Sequence, residues 1–258
     1  MMNLLKYLIP LIFVLAGMLY SPSRPIKVVT QVYPPYQDGT YKEIYGTTVD
    51  VFKCAMSKLK APYNLTIVDG SEWQTAQDLT SQGKFDMLLG TLHMDSRDKY
   101  AVWSQALETN HTYFIKKLST KINRTDKEAK WGVKNGSGVS GQLGKQENLK
   151  IAFKGNDNPD VVKALLENKI DYIYMDINIF KWSLKTNNVS DPLLDKVKGK
   201  PQTEFNTTLF NFEPPPDGKG EQLYGAYITK TYITSHPTFL NDFNTSVGIC
   251  RQESELKN

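Results

Sequence analysis

Charged and aromatic side chains able to hold a small polar molecule sit at the ends of short apolar runs. Tyr33 follows Ile26 to Thr30 (IKVVT), and the segment from Gly90 to Arg97, with His93 inside it, follows Met87 to Gly90 (MLLG). Ser137 follows Trp131 to Lys134 (WGVK), and Asp176 closes Tyr172 to Met175 (YIYM). A guanidinium offers a planar fork that matches a carboxylate in charge and geometry. An aspartate can accept hydrogen bonds from an ammonium, or cap the helix that follows it. A lone histidine such as His93 is a pH-sensitive contact or a structural residue.

Bond-breaking chemistry finds little support. The turn at Asn135-Gly136-Ser137-Gly138 lacks the lysine and spacing of a P-loop, and no Gly-x-Ser-x-Gly elbow occurs. The two cysteines, Cys54 and Cys250, lie too far apart in sequence for a Cys-x-x-Cys pair or a zinc-ligand spacing. No cofactor and no metal is expected. The balance of 31 basic against 27 acidic residues, net +4, contains no long block of either sign, which argues against a nucleic-acid partner.

The elements that would position these residues follow from periodicity. Residues 1–23 are set apart: Lys6 precedes an apolar run from Tyr7 to Tyr20, the layout of a secretory signal peptide. The run is shorter than the ~20 residues of a spanning helix, although an uncleaved anchor is the alternative. The remaining chain is long enough for one large domain or two ordinary ones, with 40% hydrophobic residues over its full 258-residue length. IKVVT reads as a strand. A helix from Thr48, with Val49, Phe52, Ala55, Met56 and Leu59 on one face, is closed by Pro62. Leu65 and Ile67 mark a second strand. A helix from about Ser71 carries Trp73, Ala76 and Leu79 inward, and MLLG is a strand buried on both faces.

A second unit repeats the order. WGVK and KIAF (Lys150 to Phe153) are strands, and Asn158 caps a helix with Pro159 at its first position. YIYM is the next strand. From Gly199 to Gln222 the periodicity is lost and Pro214-Pro215-Pro216 intervenes, which reads as an exposed loop. A strand from Tyr224 to Lys230 and a helix capped by Ser235, burying Phe239, Leu240, Phe243, Val247 and Cys250, complete the chain. Alternating strands and helices predict an α/β protein with mostly parallel sheets. Ligands in such sheets sit at the carboxyl ends of the strands, where the residues named at the outset fall.

Taken in order, Thr30 to Tyr36 (TQVYPPY), Tyr45 to Asp50 (YGTTVD), Trp73 with Leu79 and Gly83 to Asp86, Gly90 to Arg97 with Trp103-Ser104, Gly132 to Ser137, Leu165 to Asp176 and Gly225 to Lys230 resemble the type II periplasmic solute-binding proteins of the amino-acid-binding family 3. The resemblance implies a two-lobed fold, each lobe a mostly parallel sheet flanked by helices. Residues 24–115 plus 226–258 would form lobe 1 and residues 116–225 lobe 2. Two crossover strands, near Tyr113 to Lys117 and Tyr224 to Lys230, would join them.

It also implies roles. Arg97, seven residues after the strand-end Gly90, would grip a ligand carboxylate, with a surface pairing to Asp95 or Asp98 as the alternative. Asp176 would accept from a ligand ammonium, a role compatible with capping. Tyr33 and Trp73 would flank the ligand, unless they pack in the lobe 1 core. Ser137 and adjoining backbone N–H groups would hold the carboxylate from lobe 2. Tyr36 would be a hinge or cleft-wall residue. Leu92 and Met94 depart from the pattern, standing where hydroxyl residues are expected, and Thr30 stands where binders of basic amino acids can carry an acid. Free amino acids are therefore in question as ligands.

The family topology places Cys54 and Cys250 on helices of one lobe, implying a disulfide in an oxidising compartment, with two buried thiols as the alternative. The function implied is a periplasmic, monomeric protein that captures a small polar, carboxylate-bearing solute and hands it to the membrane permease of an ABC transporter. Two rivals share the scaffold. One is a dehydratase-like enzyme, and the other an accessory or sensor protein that has lost solute binding.

Overall fold

Alternation of apolar residues sorts each strand onto two faces. In β1 (Ile26–Gln31), Ile26 and Val28 join one core while Val29 joins the core on the opposite face. The computed structural model describes residues 24–135, 149–197, 203–216 and 220–255. After the short pair β2 (Asp38–Gly39) and β3 (Ile44–Tyr45) comes α1 (Thr47–Leu59). Lys60, at φ 52, ends that helix by donating its N–H to the Met56 and Ser57 carbonyls. The order continues with β4 (Tyr63–Val68), a 3-10 turn (Gly70–Glu72), α2 (Trp73–Ser81), β5 (Met87–Leu92), α3 (Asp95–Asp98), β6 (Ala101–Trp103) and β7 (Glu108–Lys117). Then come β8 (Lys130–Lys134), β9 (Lys150–Gly155), α4 (Asn158–Leu166), β10 (Tyr172–Asp176), α5 (Ile177–Thr186) and α6 (Pro192–Lys196). The chain finishes with β11 (Phe205–Asn206), β12 (Phe210–Glu213), β13 (Glu221–Thr229), α7 (Lys230–Ser235) and α8 (Phe239–Glu255).

The same strand order occurs twice. β4, β1 and β5 are neighbours and parallel, as are β9, β8 and β10, so in each unit the first strand lies between the second and third. Each parallel set is completed by an antiparallel strand: β13 beside β5, and β7 beside β10. Between these sets β7 and β13 pair with each other. In β7, Glu108 to His111 face β13 and Thr112 to Ile115 face β10, so the change of partner falls between His111 and Thr112.

Period-2 burial holds throughout. Met87, Leu89, Ala226 and Ile228 face α1 and α8, whereas Leu88 and Tyr227 face the side that carries Ala76 of α2. Tyr113, Ile115 and Ile173 face α4 and α5, whereas Phe114 and Tyr172 pack on Trp131. Each fully buried side chain of this size contributes roughly 1.5–3 kcal/mol. Cys54 of α1 and Cys250 of α8 are joined by a disulfide with a Cα–Cα distance of 6.0 Å.

Several expectations need correction. The stretch expected as an exposed loop contains β11 and β12, and Phe210 and Phe212 are fully buried. β12 pairs antiparallel with β7 (Phe210 with Lys117, Phe212 with Ile115), and its four residues are too few to display a period. Asp157, not Asn158, caps α4, because its side chain reaches the Asp160 N–H at 2.8 Å. Asp69, not Ser71, accepts at the start of the turn before α2, and Ser71 donates to it through both its N–H and its hydroxyl. Ser235 ends α7 instead of starting α8, its hydroxyl bonding back to the Thr231 and Tyr232 carbonyls.

Candidate solute-binding site

Arg97 is carried by the single turn of α3, which follows β5. Its N–H donates to the Met94 carbonyl at 2.9 Å, and its side chain turns back under the strand end instead of into solvent, leaving the residue 6% exposed. Nη1 donates to Thr91 Oγ1 (2.5 Å) and to the Leu92 carbonyl (2.6 Å), and Nε donates to Gln77 Oε1 (2.9 Å). The guanidinium carbon lies 5.8 Å from the centre of the Tyr227 ring. All these partners are neutral. Among the described residues no carboxylate forms an ion pair with Arg97, and its Nη2 has no hydrogen-bond partner. Burial accordingly lowers the arginine pKa from its ordinary value.

Of the two neighbouring acids, Asp98 is engaged elsewhere. Asp98 faces His93 (Nε2 to Oδ2, 3.0 Å) and accepts from the Tyr227 hydroxyl at 3.0 Å. His93 stacks on Tyr227 with ring centres 6.1 Å apart. The histidine thus orders the outer side of α3, and the arginine occupies the inner side.

The second cluster forms around Asp176, the last residue of β10 and the N-cap of α5. Oδ1 accepts from the backbone N–H groups of Asn178 (2.9 Å) and Ile179 (3.0 Å) and from the Tyr36 hydroxyl (2.6 Å). Oδ2 accepts from the His111 backbone N–H at 2.9 Å. Burial raises the carboxyl to about 6, against the opposing pull of these four donors. Tyr36 comes from the turn after β1 and is 1% exposed. Its ring, with those of Tyr33 and Tyr224, forms a near-parallel group with centres 6.0–6.2 Å apart. The arginine and aspartate clusters adjoin through β13: Leu92, whose carbonyl binds Arg97, is in register with Tyr224, whose ring belongs to the tyrosine group.

The remaining candidates are distributed less evenly. Tyr33 packs against the core that contains Tyr113 and Ile173, and its hydroxyl lies 3.4 Å from that of Tyr224. Trp73 packs at the edge of a different core, with Ala76, Leu88 and Tyr227. Gly90 does not end the strand as expected: β5 continues to Leu92, and Gly90, at φ +69 beside the register shift between Gly225 and Ala226, leaves room for the Gln37 side chain. Thr30 is fully buried and donates its hydroxyl to the Leu89 carbonyl at 3.0 Å. Met94 is 47% exposed. Ser137 lies outside the described residues. Sequence reasoning missed Thr91 and Gln77. The signal for Gln77 was its place four residues after Trp73, one turn along the same helix; Thr91 stood beside the leucine that had drawn attention.

Two units with matching strand order, linked by exchanged strands, and residues of interest at carboxyl strand ends define the two-lobed type II periplasmic-binding-protein fold. No protein-family model and no curated protein matches the sequence. Solved structures do. The substrate-binding protein of an amino acid ABC transporter superposes over 89% of this chain and 94% of its own, at 17% identity and TM-score 0.60. The GluR0 ligand-binding core from Nostoc punctiforme, in complex with L-glutamate, covers 89% and 94% at 12% identity and TM-score 0.63. The arginine-, lysine-, histidine-binding protein ArtJ from Geobacillus stearothermophilus covers 90% and 91% at 15% identity and TM-score 0.62. At these identities the likeness establishes the fold.

Proposed function

We propose that the protein is an extracytoplasmic solute-binding protein that captures a small carboxylate-bearing solute between its lobes for uptake by an ABC transporter. The observation that carries this reading is Arg97: a buried guanidinium with neutral partners only and one nitrogen unengaged. A buried cation is unfavourable unless an anion reaches it, and a carboxylate fits the fork. Thr91 and Gln77 hold the guanidinium in place. Delivery to a permease rests on the likeness to the amino acid ABC transporter protein. Export rests on residues 1–23 acting as a signal peptide, and among the described residues no helix is long and apolar enough to cross a membrane.

In this reading the lobes move about the segments where β7 and β13 pair, Glu108 to His111 and Glu221 to Tyr224. Solute touching both lobes favours the closed arrangement. A thermal-shift screen of amino acids and small organic acids tests the reading. A solute at a hundred times its Kd stabilises by about 2.7 kcal/mol, a Tm rise of roughly 5–10 °C at this size. The shift should vanish in Arg97→Ala. Binding that survives that change would remove the anchor, turnover of the solute would favour the enzyme reading, and absence of any shift together with a co-purifying protein would favour an accessory role.

A further inference from the structure

We propose that the solute is a carboxylate without an α-ammonium group, because Asp176, the acid at the second strand end, is buried and already engaged by four donors of the protein. This rests on the reading that Arg97 receives a carboxylate.

An ionised carboxyl group offers about four acceptor sites, two on each oxygen. Asp176, 4% exposed, receives four donors within 3.0 Å, with the Tyr36 hydroxyl and the Asn178 and Ile179 N–H groups crowding Oδ1 and the His111 N–H on Oδ2, so one Oδ2 site is left and burial screens it from solvent. Three of these belong to the main chain of α5 and β7 and cannot be withdrawn without unwinding those elements. The fourth is held nearly as firmly. Asn178 Nδ2 donates to the Tyr36 hydroxyl at 3.2 Å, which leaves that hydroxyl to donate to Asp176. The Tyr36 ring is built into the core containing Tyr113, Ile115 and Ile173. Its backbone is anchored on the other side, where its carbonyl accepts from the Thr48 N–H at 3.2 Å. Gly46 makes that approach possible, since a Cβ there would meet the Tyr36 carbonyl. One residue of the β1 turn therefore occupies the acceptor of the opposite unit.

An ammonium entering between the units would lose water and meet a buried carboxylate already supplied with four donors, with the Arg97 charge as a further penalty. An acid bearing hydrogen, hydroxyl or oxo at that carbon would satisfy Arg97 without the penalty.

Matched acids that differ only at this carbon make the test: alanine, lactate and pyruvate, and glutamate, glutarate and 2-oxoglutarate, titrated by calorimetry into the mature wild-type protein and into Tyr36→Phe and Arg97→Ala. The expected result is binding of at least one ammonium-free acid, lost in Arg97→Ala, with the amino counterpart weaker by at least about tenfold. In Tyr36→Phe, shown folded by its thermal melt, that gap should narrow. An amino acid that binds wild type as tightly as its counterpart overturns the inference and leaves the solute-binding reading standing. A gap unchanged in Tyr36→Phe overturns the role given to its hydroxyl. If no acid of either kind binds, the solute-binding reading itself fails, and the inference with it.

Discussion

Gly90 and Gln37 are fitted to each other. Gly90 holds φ +69, a Cβ there would fall on the Gln37 side-chain amide, and Gln37, fully buried, directs Nε2 to the Gly90 carbonyl at 3.5 Å. Gly90→Ala should lose about 2–4 kcal/mol in urea unfolding, from a left-handed backbone worth ~1–2 kcal/mol and a displaced amide. Combining it with Gln37→Ala should cost less than the sum of the two by at least about 0.5 kcal/mol. Strict additivity would show that the two residues do not share the space.

Arg97 illustrates a conflict between stability and binding. Its three hydrogen bonds offset only part of the loss of water around a buried charge. Arg97→Met, similar in length and uncharged, should leave the solute-free protein unchanged or more stable by about 1 kcal/mol while abolishing carboxylate binding. A loss larger than ~1 kcal/mol would mean that the bonds to Thr91, Leu92 and Gln77 outweigh desolvation.

Asp176 makes stability depend on pH in an unusual direction for an acid. Its folded carboxyl titrates near 6, above the ordinary 3.8, so in that window the folded protein binds the proton more tightly than the unfolded chain does. Its contribution is fully present below the lower value and is lost as pH rises through the upper one, to a depth of roughly 3 kcal/mol. Asp86 and Asp191, held below the usual range, act with the opposite sign, so the comparison must be with Asp176→Asn. The stability of wild type relative to that variant should fall between pH 4 and pH 7. A pH-independent difference would remove Asp176 as the source.

The bond between Cys54 and Cys250 closes a loop across 196 positions. On chain-entropy grounds its removal costs up to about 5 kcal/mol. Urea unfolding with and without reductant should show a large drop in midpoint, and Cys54→Ser with Cys250→Ser should reproduce it. Equal midpoints would mean that the apolar cluster around Phe52, Phe243 and Val247 and the Lys58–Glu253 ion pair suffice to hold α1 and α8 together.

Most of the architecture could be read from period and punctuation, because each long strand separates two cores and each long helix has one apolar face. β12 escaped because Phe-Asn-Phe, paired with β7 and packed through both phenylalanines on Phe180 of α5, carries no alternation long enough to notice. The α4 cap was misplaced by one residue where Asn156, Asp157 and Asn158 offered competing side chains. At the site, strand ends indicated Arg97 and Asp176. Their environments could not be read that way. The hydrogen bond from Tyr36 to Asp176 spans 140 positions, and nothing local in either segment signals that the tyrosine donates to that acid.

The position of β13 also sets an order of assembly. The sheet around β8, β9 and β10 draws on one continuous stretch, from the end of β7 to β12, and can be completed as that stretch emerges. The sheet around β1 cannot: β5 waits for β13 as its neighbour, and Cys54 waits for a partner on the final helix. Until residues 221–255 arrive, Met87 to Leu92 present an open apolar edge of the kind that recruits chaperones or aggregates. The half of the molecule that begins first is therefore the half that is finished last.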